Sequence, residues 1–149
     1  MVFETDPTYI GYFTSAQGQS DARSAVFQAM DVGQPGDSAI YFEVDFGATA
    51  SEASDAIKTY FQAVNHEIAY MMANFGAPDY AVGVYGDGAI CSAIKSAGLA
   101  QFTWLAGATS WPGSDTYTSW NLKQGGSTTI CGVGVDLDQS SGAFGGFTV

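Results

Sequence analysis

Two pairs of carboxylates, each with one residue between its members, are the groups in this sequence best suited to chemistry. Glu43 and Asp45 end an apolar run, and Asp136 and Asp138 repeat the spacing near the end of the chain. In a strand, residues two apart point to the same face, with about 6.6 Å between their α-carbons. Two carboxylates in unequal surroundings can act as a general acid and as a base or nucleophile. The first pair therefore predicts acid–base catalysis; the alternative is that the strand ends at Val44 and Asp45 is a solvated loop residue or a helix cap.

A calcium loop is the alternative for the second pair, because Asp136, Asp138 and Ser140 occupy alternate positions. An EF-hand loop needs glycine at its sixth position and glutamate at its twelfth. Ser141 and Phe147 stand there instead, so the motif fails. We predict neither a metal site nor a cofactor.

Aromatic and amide side chains recur near the expected strand ends, namely Tyr85, Trp104, Trp111, Trp120 and Gln124. Aromatic faces stack on the apolar faces of sugars, and amides or carboxylates bind their hydroxyls. Any one such aromatic residue is more often part of a core. Their recurrence at one end favours a carbohydrate site, with Tyr85, Trp104, Gln124 and Asp138 as binding residues.

Composition limits the partners of the chain. Its 149 residues, 46% of them apolar, predict a single domain over residues 1–149. With 4 Lys plus Arg against 15 Asp plus Glu, the formal charge is −11, which argues against nucleic acid and anionic membranes as partners. No apolar run is long enough to cross a membrane, and we expect no signal peptide in the first 20 residues. Cys91 and Cys131 are either free thiols or one disulfide, and the composition favours an extracellular location.

Strand and helix patterns alternate along the chain. A helix is predicted over residues 20–30, a long helix follows a capping box formed by Thr49 and Glu52, and Asp87 caps a third helix. The loop 107–118 is expected to be irregular. Five strands are predicted, at residues 40–46, 80–85, 102–106, 119–124 and 133–137.

Strand followed by helix, repeated, predicts an α/β fold with parallel pairing. A complete eightfold barrel has about 31 residues per strand–helix unit if it totals about 250. The chain accordingly holds about five units. It is either an open doubly wound sheet or a barrel-like, truncated TIM barrel of about five strands that lacks the first strands.

Six segments together resemble the glycoside-hydrolase-like domain family, long catalogued as a domain of unknown function and related to the family 25 lysozymes. They are YFTSAQGQSDARSA, IYFEVDF, VGVYGDGAICSAI, GLAQFTWLAG, WNLKQ and CGVGVDLDQ, and they run from about Tyr12 to the end. The resemblance implies a (β/α) barrel whose cleft lies at the carboxyl ends of the strands. It also implies secretion and action on cell-wall or other polysaccharide.

The resemblance assigns positions to individual residues. IYFEVDF resembles the fourth barrel strand of the lysozymes, with the acidic pair inverted to Glu43-x-Asp45. Gln124 falls in a segment like the seventh strand, and Asp136 in one like the eighth. The strands that open the barrel would precede Tyr12, and we expect them to be missing from this chain.

The sequence is compatible with three functions. The first is a glycoside hydrolase with Glu43 as general acid, Asp45 as base or nucleophile and Asp136 as electrostatic support. The second is a catalytically degenerate domain that binds glycan or protein in the cleft. The third is an extracellular structural subunit, since two open sheet edges would pair with identical copies or with a companion chain.

Overall fold

The computed structural model describes residues 1–5 and 7–148, which fold into a curled sheet with helices packed on one face. The sheet runs in chain order: β1 Val2–Phe3, β2 Ala39–Glu43, β3 Ala81–Gly86, β4 Phe102–Leu105, β5 Leu122–Ile130 and β6 Val133–Ser140. The helices are α1 Ser15–Asp31, α2 Ala50–Glu52, α3 Lys58–Phe75 and α4 Gly88–Ser96. A 3-10 turn lies at Ile10–Tyr12, and a π-helical turn, Ala53–Ile57, joins α2 to α3. The half-barrel confirms the predicted partial (β/α) barrel.

Helix α1 begins five residues earlier than the predicted 20–30 segment. The Thr14 side chain accepts a hydrogen bond from the Gln17 N–H and caps the helix. The early part was missed because Gln17 and Gly18 interrupt the apolar pattern. Gly18 has a packing reason: a Cβ there would lie 2.5 Å from the backbone oxygen of Tyr60, so glycine lets α1 and α3 approach closely.

The predicted capping box opens the long helical region. Glu52 N–H donates to Thr49 Oγ1 over 3.3 Å, and Thr49 N–H donates to Glu52 Oε2 over 2.7 Å. The region ends at Gly76, whose φ of 66° is the left-handed conformation that glycine adopts without steric cost. The predicted Asp87 cap is also confirmed, because its side chain accepts from the Ile90 N–H at the start of α4.

Strand β2 lies at the centre of the core and is buried along its whole length. Its residues Ile40 and Phe42 face α1 and α3, and the Phe42 ring packs edge-on against Phe61 with centroids 6.5 Å apart. Each fully buried side chain of this size contributes about 1.5–3 kcal/mol relative to exposure. The alternate residues Tyr41 and Glu43 face the concave side of the sheet, and this division of side chains places an acid at the end of a packed strand.

Strand number and direction differ from the prediction. β1, with only two residues, precedes Tyr12 and pairs in parallel with β2. The run predicted at 119–124 begins at Leu122 and continues to Ile130, and β6 then returns antiparallel to β5. The two-residue turn Cys131–Gly132 has φ values of 52° and 82°, which suit the right-handed twist of a tight hairpin. The expectation of parallel pairing at the last strand is therefore wrong.

The C-terminal segment after β6 covers the amino ends of the strands. Ala39 N–H donates to the Gly145 carbonyl over 2.8 Å, and the Tyr41 hydroxyl donates to the Phe144 carbonyl over 2.7 Å. The loop 107–118 contains turns and no helix or strand, as predicted.

Both cysteines are free thiols, so the disulfide alternative is not realised. Cys91 is buried and Cys131 is exposed at the hairpin turn. Burial raises the pKa of the Cys91 thiol, which keeps it neutral in the core. No helix in the described part of the chain combines the length and the apolar character needed to cross a membrane.

Candidate functional site

A cleft of about 370 Å³ opens where β2, β3 and β4 end. Its lining contains every residue that the sequence analysis predicts to be catalytic or binding, together with Val2 of β1 and Glu4, which follows β1. The lining residues are Val2, Glu4, Glu43, Asp45, Tyr85, Trp104, Gln124, Asp136 and Asp138. The catalytic and binding roles of these residues stay predictions.

The parallel register explains how the first three lining residues meet. Glu43 is the register partner of Tyr85, and Tyr85 is the partner of Trp104. Register partners on neighbouring strands point to the same face of a sheet. The Tyr85 and Trp104 rings accordingly meet edge-on, with centroids 5.4 Å apart. The carboxyl group of Glu43, the phenol of Tyr85 and the indole of Trp104 thus form a row across the concave face of the sheet.

Asp45 reaches the cleft from beyond the strand. The predicted strand 40–46 ends at Glu43, although Val44 N–H still donates to the Tyr85 carbonyl over 2.8 Å. The following loop is tied to α4, since Ala48 N–H donates to Asp87 Oδ2 over 2.9 Å. Asp45 is half-buried and lies on the same cleft as Glu43. The strand thus ends before Asp45, as the alternative expected, and Asp45 is a loop residue that is partly rather than fully exposed to solvent.

The second acidic pair reaches the cleft by a different route from the one expected. Asp136 and Asp138 lie on the returning arm of the hairpin, opposite Ser127 and Gln124 respectively. A register irregularity between Gln124 and Ser127 lets β5 continue past the cleft before it turns. The two aspartates, two residues apart on β6, therefore face the same side as Gln124.

Gln124, on β5, connects Tyr85 of β3 to Asp136 of β6 through hydrogen bonds. Its Oε1 accepts from the Tyr85 hydroxyl and from the Gly107 N–H, each over 2.9 Å. Its Nε2 donates to Asp136 Oδ2 over 2.7 Å. These partners fix the orientation of the amide, because the Gly107 N–H can only donate and the Asp136 carboxylate can only accept. Asp138 is held separately by the indole N–H of Trp104, over 2.9 Å.

The electrostatic field of the cleft is negative. Burial raises the pKa of Tyr85 to about 12, and the nearby carboxylates of Asp45, Glu43, Asp136 and Asp138 add to the effect. Burial also raises the pKa of Asp138, while the Trp104 N–H partly opposes this. Among the residues that the structure describes, no Lys, Arg or His lines this cleft. Such a site suits a ligand rich in hydroxyl groups rather than an anion.

Glu4 is a cleft residue that the sequence reading missed. It follows β1, is exposed, and adds a fifth carboxylate to the lining. A strand of two residues is too short for hydrophobic periodicity to reveal. Within residues 1–5 and 7–148, no group of three or more His, Cys, Asp and Glu side chains is placed to hold a metal ion.

Comparison with known proteins gives a family match. The model of the Rv2525c-like, glycoside hydrolase-like domain matches residues 1–142 of this chain, beginning before the motifs that carried the resemblance. Two relatives come from Bacillus subtilis strain 168. The uncharacterized protein YbfG is 36% identical over 139 residues, covering 88% of this chain and 19% of its own length. The uncharacterized protein FadG is 30% identical over 109 residues, covering 71% and 18%. The chain thus spans about a fifth of the length of either relative.

Solved structures show the same fold. Crystal structures of the Mycobacterium tuberculosis Tat-secreted protein Rv2525c, in complex with HEPES and with L-tartrate, superpose with TM-scores of 0.72 and 0.70. Their sequence identities are 22% and 21%, over 89% of this chain and 61% of theirs. An uncharacterized Bacillus stearothermophilus protein has a TM-score of 0.55 at 20% identity, over 93% of this chain and 68% of its own.

Proposed function

Because the chain belongs to the family of Rv2525c-like, glycoside hydrolase-like domains, we propose that its cleft binds a cell-wall or other extracellular polysaccharide and hydrolyses its glycosidic bonds. The observation that carries the proposal is the shared cleft: Glu43 and Asp45 lie on it together with Tyr85 and Trp104. Carboxylates beside aromatic rings match the hydroxyls and apolar faces of a sugar. The Tat-secreted relative Rv2525c supports an extracellular location for this chain.

The proposed chemistry assigns Glu43 and Asp45 unequal roles. Glycosidases use two carboxyl groups that flank the scissile bond, one of them donating a proton to the leaving oxygen. Glu43 is the proton donor, and Asp45 either activates a water molecule or attacks the anomeric carbon. Asp136, fixed by Gln124, supplies negative charge that stabilises the positive charge developing on the sugar ring.

Isosteric amide variants test the proposal. Binding to a glycan array and clearing of cell-wall suspensions are measured for wild type, Glu43→Gln and Asp45→Asn. Asp31→Asn is the matched control, because it removes the same charge at an exposed position at the end of α1. The proposal expects wild type and the control to bind and clear, whereas each cleft variant binds without clearing. Wild type that binds without clearing indicates a degenerate, glycan-binding site, and wild type that does neither refutes the proposal.

Self-assembly is a second candidate, favoured by the exposed hairpin. Ile130, Val133 and Leu137 are 56%, 62% and 50% exposed, and within the described residues β6 has no strand on its outer side. An open apolar edge can pair with a second copy. Light scattering at high concentration should then show an oligomer that Leu137→Lys dissociates, while Phe75→Lys, at an exposed position on α3, leaves it intact. A monomer at every concentration removes this candidate.

A further inference from the structure

A buried carboxylate outside the cleft is held by three neutral donors. Asp21, on α1, is only 4% exposed. Its Oδ2 accepts from the hydroxyls of Tyr12 and Tyr60, and its Oδ1 accepts from the Gln17 side-chain amide, each over 2.7 Å. Burying a carboxylate is costly unless it is fully hydrogen-bonded. The three donors offset that cost, and they bring two tyrosine hydroxyls to one point.

Tyr12 extends this cluster toward the cleft. Its hydroxyl lies 2.9 Å from the Thr5 hydroxyl as well as 2.7 Å from Asp21 Oδ2. A phenol has one proton, and the carboxylate is the stronger acceptor. The Tyr12 proton therefore goes to Asp21, and the Thr5 hydroxyl donates to the Tyr12 oxygen.

Thr5 completes the path to the proposed catalytic acid. Its backbone N–H donates to Glu43 Oε1. The segment that carries Thr5 follows β1, which pairs with β2 through only two residues, so the sheet alone constrains it weakly. Tyr12 supplies a side-chain anchor for this segment.

Glu43 and Asp21 both influence the pKa of Tyr60. Burial raises the pKa of Tyr60, the Asp21 carboxylate raises it further, and Glu43 makes a smaller contribution of the same sign. Both carboxylates therefore lie close enough to the Tyr60 phenol to disfavour its ionised form.

We propose that Asp21 and Tyr12 are positioning residues, which orient Glu43 in the cleft through Thr5. This inference rests on the proposed function for the importance of Glu43, but the contact it describes can be measured without any glycan. A purely structural cluster, tying α1 to α3, would make Tyr12 and Tyr60 equivalent.

The two tyrosines form a matched pair of variants. Tyr12→Phe and Tyr60→Phe each remove one donor to Asp21, and only Tyr12 also contacts Thr5. The readout is the residue-5 backbone amide in ¹⁵N NMR, by its proton shift and its exchange rate with solvent. Tyr12→Phe should move this signal upfield and speed its exchange about three- to tenfold, the effect of losing one hydrogen bond. Tyr60→Phe should leave both values near wild type.

Thr5→Val keeps the experiment decisive if Tyr12→Phe does not fold. Thr5 is exposed, and valine removes only the hydroxyl while retaining the backbone N–H. The residue-5 amide should change as in Tyr12→Phe. An amide unchanged in the folded variants, or changed equally by Tyr60→Phe, overturns the inference.

Glycan binding, measured on the same samples, separates this inference from the proposed function. An amide that responds as expected in a protein that binds no glycan refutes the function and leaves the positioning contact standing. Glycan binding by wild type, together with a residue-5 amide that does not respond, refutes the positioning contact and leaves the proposed function standing.

Discussion

Tyr85 is the residue at which the charges of the cleft converge. Its hydroxyl donates to Gln124, and four carboxylates lie near enough to disfavour its ionised form. A phenol in such a field remains a hydrogen-bond donor far above neutral pH. In the proposed site it holds Gln124, and through Gln124 it holds Asp136.

The raised pKa of Tyr85 predicts a specific alkaline dependence of stability. The pKa is about 12 in the folded protein and about 10 in an unfolded chain. Its contribution to stability is therefore fully present below pH about 10 and is lost as the pH rises through about 12. Denaturant unfolding between pH 8 and 11 should show the free energy of unfolding falling more steeply for wild type than for Tyr85→Phe. The exposed Tyr9→Phe should follow wild type, and equal slopes for wild type and Tyr85→Phe would contradict the assignment.

The elements that carry the cleft depend on close packing across the concave face. Gly83 on β3 lies against the Tyr41 ring of β2, and a Cβ there would approach the ring to 2.5 Å. Tyr41 in turn packs edge-on against Trp104, with centroids 5.8 Å apart. Glycine at position 83 leaves room for the Tyr41 and Trp104 rings to pack together on the concave face of the sheet.

Gly83→Ala should destabilise the protein, because the Tyr41 ring would have to move. That movement would strain the hydrogen bond from the Tyr41 hydroxyl to the Phe144 carbonyl. Overpacking of this kind costs about 1–3 kcal/mol. Gly134→Ala on β6 is the control, since a Cβ there would meet none of the described residues within 4 Å. Urea unfolding should separate the two variants, and equal stability would show that Tyr41 is free to move aside.

Asp87 connects two elements that frame the cleft. Its carboxylate accepts from the Ile90 N–H of α4 and from the Ala48 N–H of the loop that follows Asp45. Asp87→Ala should lower the free energy of unfolding by about 2 kcal/mol, through loss of the cap and of the acceptor for Ala48. Asp87→Asn should lose less, because one amide oxygen can still cap the helix. Thermal and urea unfolding give both values, and an unaffected Asp87→Ala would contradict this role.

The elements also show what the sequence could and could not predict. Thr49, Glu52 and Asp87 act locally, so their capping roles were readable from spacing. The hairpin was missed because Gly125–Gly126 interrupts the strand pattern of β5 and a Cys-Gly turn is not the usual hairpin sequence. Strand β1 is too short to show a period.

The contacts around the candidate site likewise include some that the sequence predicts and some that it does not. Acids at alternate positions were found because their spacing indicates a common face. The contact between Asp21 and Tyr60, 39 residues apart, exists only after α1 packs on α3, and no local pattern points to it.

At the scale of the whole molecule, charge is the dominant feature. The formal charge is −11, and five of the carboxylates meet at one cleft. Like charges held together in the folded state repel one another more than in the extended chain. The scarcity of Lys and Arg leaves little internal compensation.

Moderate salt should therefore stabilise the protein. Screening at 0.2 M shortens the range of repulsion to below about 8 Å, compared with about 30 Å at 0.01 M. The melting temperature should rise by a few degrees between these concentrations, since about 1 kcal/mol corresponds to roughly 2–4 °C for a domain near this size. Asp136→Asn should show a smaller rise than wild type, and Asp31→Asn one close to wild type. A melting temperature independent of salt would contradict the account.

The indole N–H of Trp104 provides the most direct test of a sugar-binding cleft. Of the tryptophans in the described chain, Trp104 lines the cleft and donates its N–H to Asp138, whereas Trp111 and Trp120 lie elsewhere. In a ¹⁵N NMR titration with soluble cell-wall oligosaccharides, the Trp104 indole signal should shift and saturate, with the other two indoles unmoved. Absence of a saturable shift at Trp104 across a panel of cell-wall and extracellular glycans, or a shift confined to Trp111 or Trp120, would contradict the central claim.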